Sequence, residues 1–261
     1  MQRIRSGELP AHTGQLVTIA GWVHRRRFLK SVTFLIVRDA AGLAQVVVTD
    51  PAVRELVARL TEETVVAVTG RVVTEPAAPA GVELTGPQVR VLGDVAEPPP
   101  FDLYRPTPLD HAGRSRRPPR RSAALRVAAA ATAGFRSALD RAGFTEVHTP
   151  KVVAAATESG ANVFGVDWFG NRAYLAQSPQ FYKQLLVGVF ERVYEVGPVF
   201  RAEPHDTARH LAQYTSLDVE LGFVTDHRDV MAVLRDTLAG MLTSVAGDAA
   251  GPLATLDLKV P

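Results

Sequence analysis

From Tyr214 to Leu221 apolar and polar residues alternate, with Leu217, Val219 and Leu221 on one parity and Tyr214, Ser216, Asp218 and Glu220 on the other. A period of two is the mark of a half-buried strand. Upstream, Arg192 to Glu203 is also strand-like, and the polar loop between the two runs predicts a hairpin. The period changes between Ser122 and Ala142, where Leu125, Ala128, Ala131, Phe135 and Leu139 form a helical stripe that closes at Gly143, a natural C-terminal stop. Phe144 to Pro150 then reads as an extended edge. Ser178-Pro-Gln predicts a second helix start, with a serine cap and proline in the first turn. Asp226 predicts the cap of a third helix, with Met231, Leu234, Leu238, Met241 and Leu242 facing inward.

The first hundred residues carry β-rich runs at Leu16 to Val23, Ser31 to Arg38, Leu43 to Thr49, Thr64 to Val73 and Val82 to Leu92. Between the third and fourth, Pro51 to Leu60 reads as a short helix capped by Asp50, with proline at its first position. Three strands, a helix and two strands are the order of a small Greek-key barrel, the OB-fold. The organisation expected is therefore a barrel over 1–95, a proline- and arginine-rich linker over 96–121, and an α+β domain over 122–261 with an antiparallel sheet flanked by helices.

At 261 residues the chain can hold two domains with a core each. No apolar run approaches the roughly 20 residues that span a bilayer, and the polar start lacks a signal-peptide core, so the expectation is a cytoplasmic protein with no membrane partner. With no cysteine, a disulfide and a thiolate metal site are excluded. A net charge of +2 is modest, but arginines gather at Arg25 to Arg27 and at Arg114 to Arg121. Such clusters suit a polyanion, although a basic run by itself is more often a solvated surface.

The polar parity of the hairpin brings together an arginine, carboxylates and an aromatic ring. Arg201 and Glu203 are two apart and point the same way. A guanidinium grips phosphate in bidentate fashion, a ring stacks on a base, and carboxylates orient an amine. The alternative is a solvated, salt-bridged sheet face. In the barrel, Phe34 is a candidate stacking platform near Arg25 to Arg27, and Gln45 could read a base edge. Phe34 could equally fill the core, and a strand glutamine is usually solvated.

The wording of these segments is specific. Phe200-Arg-Ala-Glu, Arg209-His-Leu and Tyr214-Thr-Ser-Leu-Asp-Val-Glu, preceded by Leu175-Ala-Gln-Ser-Pro-Gln-Phe-Tyr-Lys, resemble motif 2 and the amino-acid pocket of class II aminoacyl-tRNA synthetases, with the archaeal-type aspartyl enzymes most similar. Gly21-Trp-Val-His and Phe34-Leu-Ile-Val-Arg-Asp followed by Leu43-Ala-Gln-Val resemble their anticodon-binding domain. The helix from Ser122 and the edge from Phe144 resemble motif 1, which implies a homodimer. The resemblance covers nearly the whole chain.

It implies activation of L-aspartate by ATP to an aspartyl-adenylate, then transfer to tRNA(Asp), with tRNA(Asn) as a further acceptor because His24 and Pro87 resemble the relaxed form of the family. Arg201 would hold the α-phosphate and touch aspartate; Glu203 would read adenine or orient the triphosphate; Arg209 and His210 would hold its distal part; Tyr214 would stack on adenine; and Ala202 and Leu211 complete the ATP site. Glu158, Gln180, Lys183 and Asp218 would join Arg201 around aspartate, Lys183 at its side-chain carboxylate and Asp218 at its ammonium. Phe34, Gln45, Arg25 and His24 would meet the anticodon. Magnesium is expected on the phosphates, with its protein ligands not assigned. Three departures stand out: Gly113-Arg-Ser-Arg-Arg-Pro-Pro replaces a more regular family passage, Gln213 stands where glutamate is commoner, and the sequence ends at Val260-Pro261 before the family's motif 3. The alternative expectation is a truncated, catalytically incompetent relative that binds tRNA and dimerises.

Overall fold

The computed structural model describes residues 3–100, 102, 119–157, 162–205, 207 and 210–261. They fall into two compact units, Met1–Pro119 and Arg120–Pro261.

The first unit is an OB-fold: β1 (Arg3–Ile4), β2 (Leu16–Phe28), β3 (Thr33–Arg38), β4 (Leu43–Val48), α1 (Pro51–Arg59), β5 (Val65–Thr74) and β6 (Val82–Val91). The strand order β1-β2-β3-β4-β6-β5 closes on itself through β2 and β5, leaving a five-stranded barrel with β1 laid on β2. Within the barrel β4 and β6 run parallel and the other neighbours antiparallel. Closure needs a place where β2 and β3 can press together, and Gly21 supplies it: a Cβ there would stand 2.1 Å from the Arg38 carbonyl oxygen. Val17, Ile19, Val23, Leu35, Val37, Val46, Val66, Val68 and Leu84 fill the interior. Asp50 caps α1 by accepting the Val53 N–H at 3.0 Å, with Pro51 at the first position.

A bulge between Val23 and Arg25 inserts one residue into β2 and breaks its alternation. Val23 and His24 are consequently both buried, and His24 is only 2% exposed. An anticodon contact by His24 was expected from its wording; the bulge instead turns its ring inward, where Arg38 Nη1 donates to Nδ1 at 3.1 Å.

The second unit comprises α2 (Pro119–Arg141), β7 (Thr145–Glu146), β8 (Val152–Val153), β9 (Gly165–Trp168), β10 (Asn171–Leu175), α3 (Gln180–Phe190), β11 (Arg192–Phe200), β12 (Gln213–Leu221), α4 (His227–Asp248) and α5 (Ala250–Leu256). Its sheets are β12-β11-β7 and β8-β10-β9. The first packs on α2 through Phe135, Leu139, Phe144 and Tyr194, with Val196, Val219, Leu221, Val233 and Met241 around them. The Tyr194 hydroxyl is satisfied by Asp140 Oδ1 at 2.7 Å.

Two stripes expected to face inward do so only in part. On α2, Phe135 and Leu139 are buried, but Leu125 is exposed, and the N-terminal half turns Ala123 and Ala130 inward instead. On α4, Met231, Leu234, Leu238 and Leu242 are exposed. The inward face is Val233, Thr237, Met241 and Val245, because α4 meets α2 where side chains are smallest. A Cβ on Gly134 would lie 2.8 Å from the Met241 Cα, and one on Gly240 would lie 2.8 Å from the Ala138 Cβ. The backbones approach so closely there that the rotation of α4 is fixed by glycine rather than by its leucines. By length and composition α4 is apolar enough to cross a membrane.

Candidate functional site

The hairpin β11–β12 pairs in unbroken antiparallel register from Arg192 opposite Leu221 to Phe200 opposite Gln213. The strand pattern reads on to Glu203, but regular strand pairing stops at Phe200: the hairpin makes one more bond, from Arg201 to Ala212, and Ala202 then turns to another partner. Arg201 N–H donates to the Ala212 carbonyl (3.0 Å), Ala202 N–H to Asn162 (2.9 Å) and Phe200 N–H to Ala176 (3.0 Å). These bonds set a cavity of about 500 Å³ lined by Arg201, Glu203, His210, Leu211 and Tyr214. The Arg201 guanidinium carbon lies 5.9 Å from the Tyr214 ring centroid. His210 Nδ1 is 2.7 Å from the Thr207 hydroxyl, and its ring stands 5.0 Å from that of His205. A cation, a carboxylate, an imidazole and a ring around one opening are chemically matched to a nucleoside triphosphate. Of the other ATP-site candidates, Ala202 lies beside this cavity in sequence, and Arg209 lies outside the described residues, as does Glu158.

Nearer the root of β12, Lys183 reaches across from α3. It is 8% exposed, and its Nζ lies 3.1 Å from Asp218 Oδ1 and 3.4 Å from Glu220 Oε2. Asp218 and Glu220 share a face because they are two apart on a strand. A proline at the helix start was expected after a serine cap. Pro179 itself holds the cap position of α3, and the Ser178 hydroxyl accepts the Gln180 N–H at 3.1 Å. Gln180 is the first residue of α3, one turn before Lys183.

On this same face sits a group that pattern reading passed over. Glu195 is directly opposite Asp218 and 3% exposed. Its carboxylate takes the Thr149 N–H and hydroxyl, at 3.1 and 2.7 Å, and pairs with Lys151 Nζ at 2.8 Å. The signal was present as a lone carboxylate inside the otherwise apolar run Val193 to Val199. Thr157 was likewise passed over; its hydroxyl accepts the N–H groups of Gln177 (3.0 Å) and Ser178 (3.2 Å), which fixes the approach to α3.

In the barrel, Arg25, Arg26, Arg27, Phe34, Ile36, Gln45, Val47, Glu75 and Glu83 are among the residues lining a groove of about 1040 Å³. Phe34 lies on this face while its neighbour Leu35 enters the core, and Gln45 Nε2 donates to Glu83 Oε2 at 2.9 Å. Arg26 Nη1 donates to the carbonyls of Val57 (3.3 Å) and Ala58 (3.0 Å), so it is tied to the end of α1. The groove therefore joins a ring, a fixed amide and guanidinium groups, as single-stranded nucleic acid requires. His24 is not among the lining residues.

Residues 17–92 match the OB-fold nucleic acid binding domain, and residues 108–259, more than half of the chain, match tRNA synthetases class II (D, K and N). The chain belongs to the class II aminoacyl-tRNA synthetases. An aspartate–tRNA(Asp/Asn) ligase of Thermus thermophilus is 46% identical over 94% of this chain and 59% of that protein. An aspartate–tRNA(Asp) ligase of Thermoplasma acidophilum is 37% identical over 95% and 59%. Among solved structures, the asparaginyl-tRNA synthetase of Pyrococcus horikoshii complexed with asparaginyl-adenylate superposes with a TM-score of 0.88 at 30% identity, over 97% of this chain and 60% of that one. This synthetase chain thus spans about 60% of the length of the relatives it matches. Among its described residues no group of three or more His, Asp or Glu side chains is placed to hold a metal ion.

Proposed function

We propose that this synthetase chain carries the ATP- and aspartate-binding half of an aspartate–tRNA ligase. The observation that supports the reading is the juxtaposition on one hairpin of the Arg201, Glu203, His210 and Tyr214 cavity with a Lys183 held against Asp218. In this reading ATP lies in the cavity with its α-phosphate against Arg201. The fixed guanidinium offsets charge that grows on the phosphate as the aspartate carboxylate attacks in line and pyrophosphate leaves. Tyr214 offers its ring to adenine, Glu203 accepts from the adenine amine, and His210 meets the distal phosphates. Lys183 takes the side-chain carboxylate of aspartate and Asp218 its ammonium. Magnesium would enter with the triphosphate and shield its charge; no step is assigned to it, since the described residues provide no ligand set.

The barrel binds the anticodon in the same reading, with Phe34 stacking and Gln45 reading a base, and Arg25 meeting phosphate. The names of the relatives favour tRNA(Asp), and several include tRNA(Asn) as well. A homodimer and a cytoplasmic location accompany the proposal as family expectations.

Aspartate-dependent exchange of pyrophosphate into ATP is the test, run with L-asparagine as the control amino acid. Exchange with aspartate alone supports the assignment, and exchange with asparagine alone removes it. Exchange with neither, together with retained tRNA binding by the barrel, supports the second reading, a tRNA-binding relative that does not adenylate. Charging of both tRNA(Asp) and tRNA(Asn) by an active protein would establish relaxed acceptor choice, and no product on tRNA(Asn) would exclude it.

A further inference from the structure

Lys183 is held by two carboxylates that do not hold it alike. Its ammonium donates a hydrogen bond to Asp218 Oδ1 at 3.1 Å, whereas Glu220 Oε2, at 3.4 Å, makes an ion pair without one. Both acids come from β12, two residues apart, so their side chains leave the same face and converge on one cation from α3. The lysine is nine-tenths covered, and a covered ammonium is costly without a countercharge. Asp218 is also the more covered of the two acids, at 16% of its side chain against 27% for Glu220.

These facts make the pair divisible. A ligand that brings its own carboxylate to Lys183 and its own ammonium to Asp218 must take over the hydrogen bond now joining the two. During that exchange Asp218 turns from the lysine to the ligand, and something else has to keep the lysine charged and in place. We infer that Glu220 is a positioning residue for Lys183: it holds the ammonium from the side by charge alone, so that Asp218 is released to a ligand without the lysine swinging away. The inference rests on the reading of this face as the pocket for an acidic amino acid, and adds to it a residue whose work is done on the lysine rather than on the substrate. Glu195, the carboxylate opposite Asp218, cannot fill this role because it is engaged by Lys151 and Thr149.

Competitive reductive methylation of the 261-residue protein, followed by peptide mass spectrometry, reads the tether directly, because only the unprotonated, unpaired amine reacts. Lys30 and Lys259, both exposed, serve as internal references. Glu220→Gln, nearly the same in shape, is expected to raise the labelling rate of Lys183 about tenfold relative to Lys30, with Lys151 unchanged. Glu220→Asp, which keeps the charge one methylene further back, is expected to fall between. A Lys183 rate within twofold of the wild type in Glu220→Gln overturns the inference. A rise at Lys151 as well as Lys183 does the same, by showing that the substitution loosens the unit as a whole; if Glu220→Gln does not fold, a wild-type rate in Glu220→Asp overturns it alone.

A second arm separates the inference from the reading beneath it. L-Aspartate is expected to protect Lys183 in the wild type while L-asparagine is not, and to need about fivefold more concentration for the same protection in Glu220→Gln. If aspartate protects neither protein while Glu220→Gln still labels faster, the tether stands and the acidic-ligand reading falls. Equal half-protecting concentrations in the two proteins count against positioning by Glu220.

Discussion

Acid should weaken the barrel through one residue. The His24 ring is buried and receives a hydrogen bond at Nδ1 from a guanidinium that can only donate, so its neutral form is the one the fold accommodates. Burial first, then the positive charges of Arg38 and Arg25, lower its pKa from 6.5 to about 4. The folded state therefore refuses a proton that the unfolded chain accepts near pH 6.5. The stabilisation is complete above that pH and is lost as pH falls towards 4. A gap of about 2.5 units corresponds to about 3 kcal/mol in total, of which about 2 kcal/mol is gone by pH 5. The assay is urea unfolding at pH 7.5 and 5.0, followed by Trp22 fluorescence in a Trp168→Phe background so that only the barrel reports. Other titrating groups also respond to acid, so the informative quantity is the difference between wild type and His24→Gln, which presents a neutral acceptor to Arg38 at both pH values. The wild type should lose about 2 kcal/mol more than the variant. Equal losses in the two proteins would refute the assignment of this proton linkage to His24.

Four further outcomes follow, one from the packing of the second unit and three from the proposed ATP and anticodon sites. Arg201→Lys should lower aspartate-dependent pyrophosphate exchange about a hundredfold, since an ammonium cannot grip a phosphate in bidentate fashion; an unchanged rate would remove Arg201 from the ATP site. Gly134→Val should destabilise the second unit by about 2 to 3 kcal/mol, because its Cβ would stand 2.8 Å from the backbone of α4, and thermal melting of the variant checks this. Phe34→Ala should weaken binding of an anticodon stem-loop about tenfold with an unchanged salt slope, whereas Arg25→Ala should reduce that slope by about one; a filter-binding series over salt concentration tells the two apart.

Much of this was legible along the chain because local rules agreed. The Asp50-Pro51 start of α1, the Asp226 cap of α4 and the period-two runs of the barrel each depend on neighbours within a few residues, and each lies where its pattern puts it. What depended on distant partners was not legible. His24 has the parity of a solvent-facing strand residue only if β2 is regular, and the inserted residue that reverses it leaves no mark in composition. The three leucines of α4 all lie on its exposed face, and the close approach of Gly134 to Met241 is what sets which face turns inward. The site was mixed in the same way. The grouping of Arg201, Glu203, His210 and Tyr214 follows from a hairpin and its parity, while the tie between Lys183 and β12 requires knowing that α3 crosses that strand.

Arg201 is carried by main-chain bonds from Phe200, Arg201 and Ala202 to Ala176, Ala212 and Asn162. Every one of these uses groups that all amino acids except proline possess. The frame is therefore indifferent to which side chains surround it, and exchanges among those neighbours would alter what is grasped while leaving the grasp itself in position. A scaffold of this kind can shift its preference among small polar ligands by altering side chains alone, without rebuilding the strands that carry them.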